Sequence, residues 1–290
     1  MLIKRNLLIF FRDKANVFFS LLSVFIIIGL YVLFLGSVME AGLRAQLGFD
    51  SALIGVVMSG MMLGGMVAVS SFTSCLGAAS VGINDKDSKH GAEKDFLTSP
   101  LSRWKIVSGY VLSSAIISLI MTTVALVLCV IYLTLGDAGL LSVSNVLRLA
   151  LTTVLSVLSA NAIVFFITLF IKSQSAFSAL SAAVGALIGF VMGIYIPIGQ
   201  LPDAVGWLIR LFPLSHAASM YRQILADDAL GELFTSLPPD ALESFRESFG
   251  VVLVYGDVRS GFWLSAVVLL LTAALFYGLS LAVMGRRRGE

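Results

Sequence analysis

The sequence predicts an all-α membrane protein: six transmembrane helices, an N-terminal interfacial amphipathic helix and a re-entrant outer segment after the fifth span. Three observations predict it. Of 290 residues, 58% are hydrophobic and only 12% charged, whereas soluble chains carry about 25% charged residues. Six intervals run without a single charge, at 15–39, 51–84, 106–136, 149–171, 173–202 and 260–285. Each exceeds the roughly 20 residues a helix needs to cross a 30 Å hydrocarbon core. Finally, the basic residues fall mostly on one side of the membrane that these intervals define.

That asymmetry sets the orientation. With the N-terminus in the cytoplasm, 13 of the 19 Lys and Arg lie inside, and 11 of the 17 acidic residues lie outside. Positive charge near span ends marks the cytoplasmic side. An even number of spans puts both termini there, in a multi-pass protein of the plasma membrane. Helices are expected rather than strands, because the runs lack the alternating ten-residue segments of a barrel and a helix satisfies its own backbone in lipid.

The elements follow in order along one transmembrane domain, residues 1–290. Ile3, Leu7 and Phe10 form one stripe of a short helix, with Arg5 and Arg12 roughly opposite. Such a basic amphipathic segment lies along the inner leaflet. The apolar run after Lys14 is too long for a cleavable signal and becomes the first span, at about 16–37. Further spans are expected at about 52–80, 106–134, 148–171, 174–197 and 260–284. Between the second and third spans a compact inner loop packs charges of both signs. It ends in Thr98-Ser99-Pro100, a helix start with Ser99 suited to the N-cap and Pro100 to the first helical position. An outer cap spans 199–258, where Pro197, Pro202 and Pro213 interrupt short apolar stretches into half-helices. After Pro238-Pro239, a short amphipathic helix places Leu242, Phe245 and Phe249 on one side.

The chemistry the sequence excludes is as informative. No phosphate-binding G-x-x-x-x-G-K-[ST] loop, H-E-x-x-H or G-x-S-x-G motif occurs. The chain is therefore not an enzyme by itself, binds no cofactor of its own, and its near-neutral charge gives no nucleic-acid footprint. His90 and His216 each lack a ligand cluster, so neither suggests a metal. Cys75 and Cys129 sit in apolar runs and read as small buried hydrophobes. Charge is missing from every span centre, whereas ion-coupled carriers keep ionisable groups there. The energy for any transport must then come from elsewhere.

Close packing is written into two spans. Ser181, Gly185, Gly189 and Gly193 recur every four residues in the fifth, and Gly60 and Gly64 repeat that spacing in the second beside Met58, Met61, Met62 and Met66. Small residues at this spacing let helix backbones approach closely, within one subunit or across a dimer seam.

Arg5-Asn6-Leu7…Phe11-Arg12-Asp13-Lys14, Glu93…Phe96-Leu97-Thr98-Ser99-Pro100-Leu101-Ser102 and Leu201-Pro202-Asp203…Phe212-Pro213-Leu214…Tyr221-Arg222 occur in this order along the chain. In these segments, span count and loop lengths, the chain resembles the membrane subunits of type 2 ABC exporters. The resemblance implies a half-transporter that pairs with a second permease subunit, as a homo- or heterodimer. A separate cytoplasmic ATPase carrying ATP-Mg would dock beneath. It implies ATPase-coupling roles for Arg12 and for the segment 85–97, with Asp85, Lys89, Glu93, Asp95 and Phe96 as candidates and Glu93 foremost. It implies that the second and fifth spans line the pathway and the seam, through Gly60, Met61, Gly64, Ser181, Gly185, Gly189 and Gly193. Segment 198–226 would form the gate. The exported substrate would be an amphiphile such as a drug, lipid or hydrophobic peptide. The acidic stretch 227–257 departs from the family pattern. A non-transporting scaffold, an ion-coupled carrier and an intramembrane enzyme are the rival readings.

Overall fold

A computed structural model describes residues 2–87, 103–135, 142–171, 173–235 and 237–286. The inner-loop candidates Lys89, Glu93, Asp95 and Phe96, with His90, lie outside the described residues. Helix α1 (Leu2–Arg12) is followed by α2 (Lys14–Leu30), a π-helical turn (Tyr31–Leu35) and α3 (Gly36–Leu47). Then come α4 (Leu53–Asp87), α5 (Arg103–Leu135), α6 (Val143–Thr168) and α7 (Gln174–Val191). Beyond a 3-10 turn (Ile198–Gln200) lie α8 (Asp203–Leu211), α9 (Pro213–Leu225), α10 (Asp227–Leu233) and α11 (Pro239–Ser248). A two-stranded hairpin, β1 (Val254–Tyr255) and β2 (Val258–Arg259), leads into α12 (Phe262–Arg286).

Among the described residues six helices are long and apolar enough to cross a membrane, so the chain is a multi-pass helical membrane protein. Local chemistry sets their ends. The Ser142 and Ser173 side chains accept the backbone N–H of Asn145 and Ala176, capping α6 and α7. Gly48, at φ +76°, closes α3 in a left-handed conformation that glycine adopts without a Cβ clash.

Several span ends differ from the expected boundaries: α4 runs on to Asp87 rather than 80 and α6 begins at Val143 rather than 148. The first span continues past 37 through Glu40 and Arg44 to Leu47, where Arg44 pairs with Glu40 at 3.3 Å and Asp50 at 2.7 Å. Paired charges one turn apart do not end a helix. The fifth stops at Val191 rather than 197, because Gly193 takes φ +62° and turns the chain out of the helix.

The centre of the bundle is α4. In its most apolar stretch 83% of residues are buried, against 17% for α7 and for α12. Helix α9 runs antiparallel to it. Gly60 faces Leu225, Gly64 faces Tyr221 and Arg222, and the Phe72 ring meets Phe212 at 6.2 Å. Helix α9 also packs against α6 and α12, and from Leu214 through Arg222 every residue is buried. Met58, Met61, Met62 and Met66 are all in the core of this packing.

The cap shares its core with the bundle. Leu230, Leu233, Phe234, Phe245 and Val251 cluster with Leu43, Ile54, Val57 and Met58. Phe245 and Phe249 stack at 4.3 Å on the apolar side of α11. The acidic stretch is knitted together by arginines: Arg246 bonds Asp227 at 2.8 Å and Glu243 at 2.9 Å, and Arg259 joins Glu243 and, at 3.2 Å, Glu247. These ion pairs account for part of the acidic surplus that sets this segment apart.

Candidate functional site

Two clusters of polar residues occupy opposite ends of the bundle. At the end carrying α1, Arg5 donates to both carboxylate oxygens of Asp85, at 2.8 and 3.1 Å, and the Tyr110 hydroxyl donates to the same carboxylate at 2.6 Å. One turn away the Asn6 amide donates to the Ser113 hydroxyl at 3.0 Å. Phe10, fully buried, packs with Ala78, Val81, Ile117 and Met121. Helix α1 is thus bolted to the last turns of α4 and the first turns of α5. Amphipathicity alone placed Arg5 opposite the apolar stripe; the structure turns it inward, because Asp85 waits at the end of α4. The carboxylate keeps the Arg5 guanidinium charged, raising its pKa above the ordinary value. Arg12 stays exposed on the same helix.

Fork-to-carboxylate pairs of this geometry, partly screened from water, contribute about 1–2 kcal/mol. We expect a double-mutant cycle with Arg5→Ala and Asp85→Ala, read by unfolding in mixed micelles, to return a coupling of that size. A coupling near zero would make the pair a solvated contact with no role in seating α1.

At the opposite end, Arg222 is 2% exposed. Its Nε donates to the Met61 carbonyl at 3.0 Å, Nη2 to Met192 at 2.5 Å and Gly193 at 3.2 Å, and Nη1 to Gly250 at 3.5 Å. Gly64 and Gly65 make the room: a Cβ on either would lie 2.9 Å from an Arg222 atom. The sequence places Arg222 on the outer side of the membrane, within the segment 198–226. Its burial is possible because α7 ends beside it, presenting unpaired carbonyls at the negative end of the helix dipole.

His216 is also internal. Its Nε2 meets the Tyr255 hydroxyl at 2.8 Å and its Nδ1 the Ser265 hydroxyl at 3.1 Å. Because Tyr255 donates its one proton to the Arg210 carbonyl at 2.5 Å, Nε2 carries the imidazole proton. This is a bracket between α9, the hairpin and α12. Among the described residues no group of three His, Cys, Asp or Glu could hold a metal ion.

The small-residue positions separate into two kinds. Gly60 and Gly64 are filled by α9 within the subunit, with Met61 in the core beside them. Gly189 lies against the Tyr195 ring, and Gly193 has left the helix. Gly185 faces open space, on a helix whose Ala182, Ala183 and Ala186 are also exposed.

A bundle of crossing helices with a buried central helix, polar brackets at both ends and an uncovered small-residue face defines a helical, membrane-embedded domain. The model of the ABC-2 type transporter family matches residues 1–226, and the chain belongs to that family as a permease subunit of an ABC transporter. The match ends at the start of α10, so most of the cap and the last span lie beyond it. No curated protein and no solved structure matches the chain.

Proposed function

We propose that this chain is the permease subunit of an ATP-driven exporter that moves an amphiphile outward, powered by a separate cytoplasmic ATPase and paired with a second permease subunit. Both termini and the loop 88–102 then face the cytoplasm, in agreement with the concentration of Lys and Arg there. The α9 segment becomes a re-entrant helix descending from the outer face.

The observation that carries the pairing is the contrast between two equally uncovered helices. The open side of α12 presents Trp263, Val267, Leu270, Leu271 and Leu275, large side chains suited to lipid. The open side of α7 presents Ser178, Ala179, Ala182, Ala183, Gly185 and Ala186 before Leu187 and Phe190 in its last turn; the small residues let another backbone approach but fill lipid poorly. A second permease against α7 encloses a pathway between the two copies. No charge from these faces would meet the cargo, which favours an amphiphile over an inorganic ion or sugar.

Drive from the ATPase enters at the other bracket. The loop 88–102 leaves α4 just beyond Asp85, and Asp85 is fastened to α1 through Arg5. A push on the loop therefore reaches α1, α4 and α5 together. Glu93→Ala or Phe96→Ala is expected to abolish co-purification of the ATPase or substrate-stimulated ATP hydrolysis. Both variants behaving as native on both counts would remove the docking assignment.

A further inference from the structure

Arg222 does more than fill a cavity. All four hydrogen bonds of its guanidinium end on backbone carbonyls, and these belong to three separate parts of the chain: Met61 of α4, Met192 and Gly193 at the end of α7, and Gly250 in the cap. Two of those carbonyls are aimed by left-handed turns, since Gly193 has φ +62° and Gly250 φ +67°. Both glycines also border the guanidinium, a Cβ at Gly250 falling 3.0 Å from Nη1 and one at Gly193 falling 3.6 Å from Nη2. The same face of α9 adds Ser219 and Gln223, three residues before and one after Arg222. Both donate to the Val251 carbonyl, at 2.6 and 2.8 Å. A buried guanidinium without a carboxylate is costly unless its donors are satisfied. A broken helix away from water likewise needs partners for its last carbonyls. Each requirement here meets the other.

We propose that Arg222 is a positioning residue that sets where the fifth span ends and locks that end to both the second span and the cap, so that the three move as one body. Lysine cannot replace it. An ammonium is a point donor without the planar fork and cannot reach carbonyls on three elements at once. The proposal concerns the single subunit and does not depend on the exporter reading.

The test uses the full chain in lipid nanodiscs, native against Arg222→Lys and Arg222→Met, compared by amide hydrogen exchange. A nitroxide pair at Leu187 and Asp240, both exposed positions on α7 and α11, reports the distance distribution between them. In folded Arg222→Lys the amides of 192–195 and of 250–253 should exchange at least about tenfold faster together, α5 and α6 should keep native protection, and the distance distribution should broaden. Native protection at both segments with an unchanged distribution would overturn the proposal, as would loosening of one segment alone. If Arg222→Met fails to fold, Ser219→Ala combined with Gln223→Leu supplies the complementary arm. It removes the two bonds to Val251 and spares Arg222, so loosening should be confined to 250–253. Loosening that spreads to 192–195 in that variant would assign the lock to Ser219 and Gln223 instead. No ATPase or substrate enters either measurement, so failure of the exporter reading would leave the result standing.

Discussion

Gly64→Leu should unfold a large fraction of the protein in detergent, lowering stability by about 3 kcal/mol, the upper range for forcing bulk into a packed core. The obstacle is backbone. A Cβ on Gly64 would sit 2.9 Å from the Arg222 amide nitrogen and 3.2 Å from the Tyr221 carbonyl carbon, atoms that cannot rotate aside as a side-chain terminus can. Nor can α9 retreat cheaply. Tyr221 donates to the Thr153 hydroxyl at 3.0 Å on α6, and His216 meets Ser265 on α12. Moving α9 off α4 would also separate Arg222 from Met61. Gly60 obeys the same logic, its Cβ meeting the Leu225 carbonyl oxygen at 2.7 Å. The check is an unfolding titration in mixed micelles. A Gly64→Leu midpoint equal to the native one would show that α9 does not rest on this glycine.

That outcome bears on what a sequence can say about close packing. The spacing of Gly60 and Gly64 marked a face where a backbone approaches, and one does, but the approaching helix is α9, which is too short to cross the membrane and is broken from α8 at Pro213. Glycine spacing records the distance of approach and carries no information about the identity of the partner. The spans themselves were legible because charge is expelled from lipid, which leaves uncharged intervals with basic ends. Among helix ends, the sequence marks the break at Pro213, whereas the caps at Ser142 and Ser173 emerge only in the structure. The end of the fifth span was not legible, since Gly193 looks like one more member of the Ser181, Gly185, Gly189 series until its φ is known.

Arg222 was hidden for a related reason. Every group that neutralises it is a peptide carbonyl, and carbonyls are the same at every position. Had the partner been a carboxylate, a charge in an apolar run would have drawn notice; Asp85 stood out only through the resemblance, and its pairing with Arg5 across 80 residues was invisible. The signal that could have found Arg222 is the spacing of Ser219, Arg222 and Gln223 on one helical face, with glycines at 64, 65, 193 and 250 to admit a guanidinium. Each alone is common. Their meaning lies in the convergence, which only the fold supplies.

The second large effect falls on assembly rather than on folding. Gly185→Leu should leave the subunit as stable as the native chain, because a Cβ there meets nothing within 4 Å, while reducing self-association or pairing with the other permease by about tenfold or more. Tenfold corresponds to about 1.4 kcal/mol, the order expected when a bulky side chain prevents helices from nesting along a small-residue face. Ala182 and Ala186 border Gly185 on that exposed surface, so Ala182→Leu should act in the same direction. Leu271→Ala on the open side of α12 should not, since that face is matched to lipid chains. Co-purification of two differently tagged copies, followed by unfolding of the same samples, separates the cases. If Gly185→Leu retains native pairing and Leu271→Ala loses it, the seam belongs to α12 and the pathway must be sought there. If Gly185→Leu loses pairing but also loses stability, α7 is held within the subunit by contacts that its open face does not show. Pairing lost at full stability is the combination expected of a seam on α7.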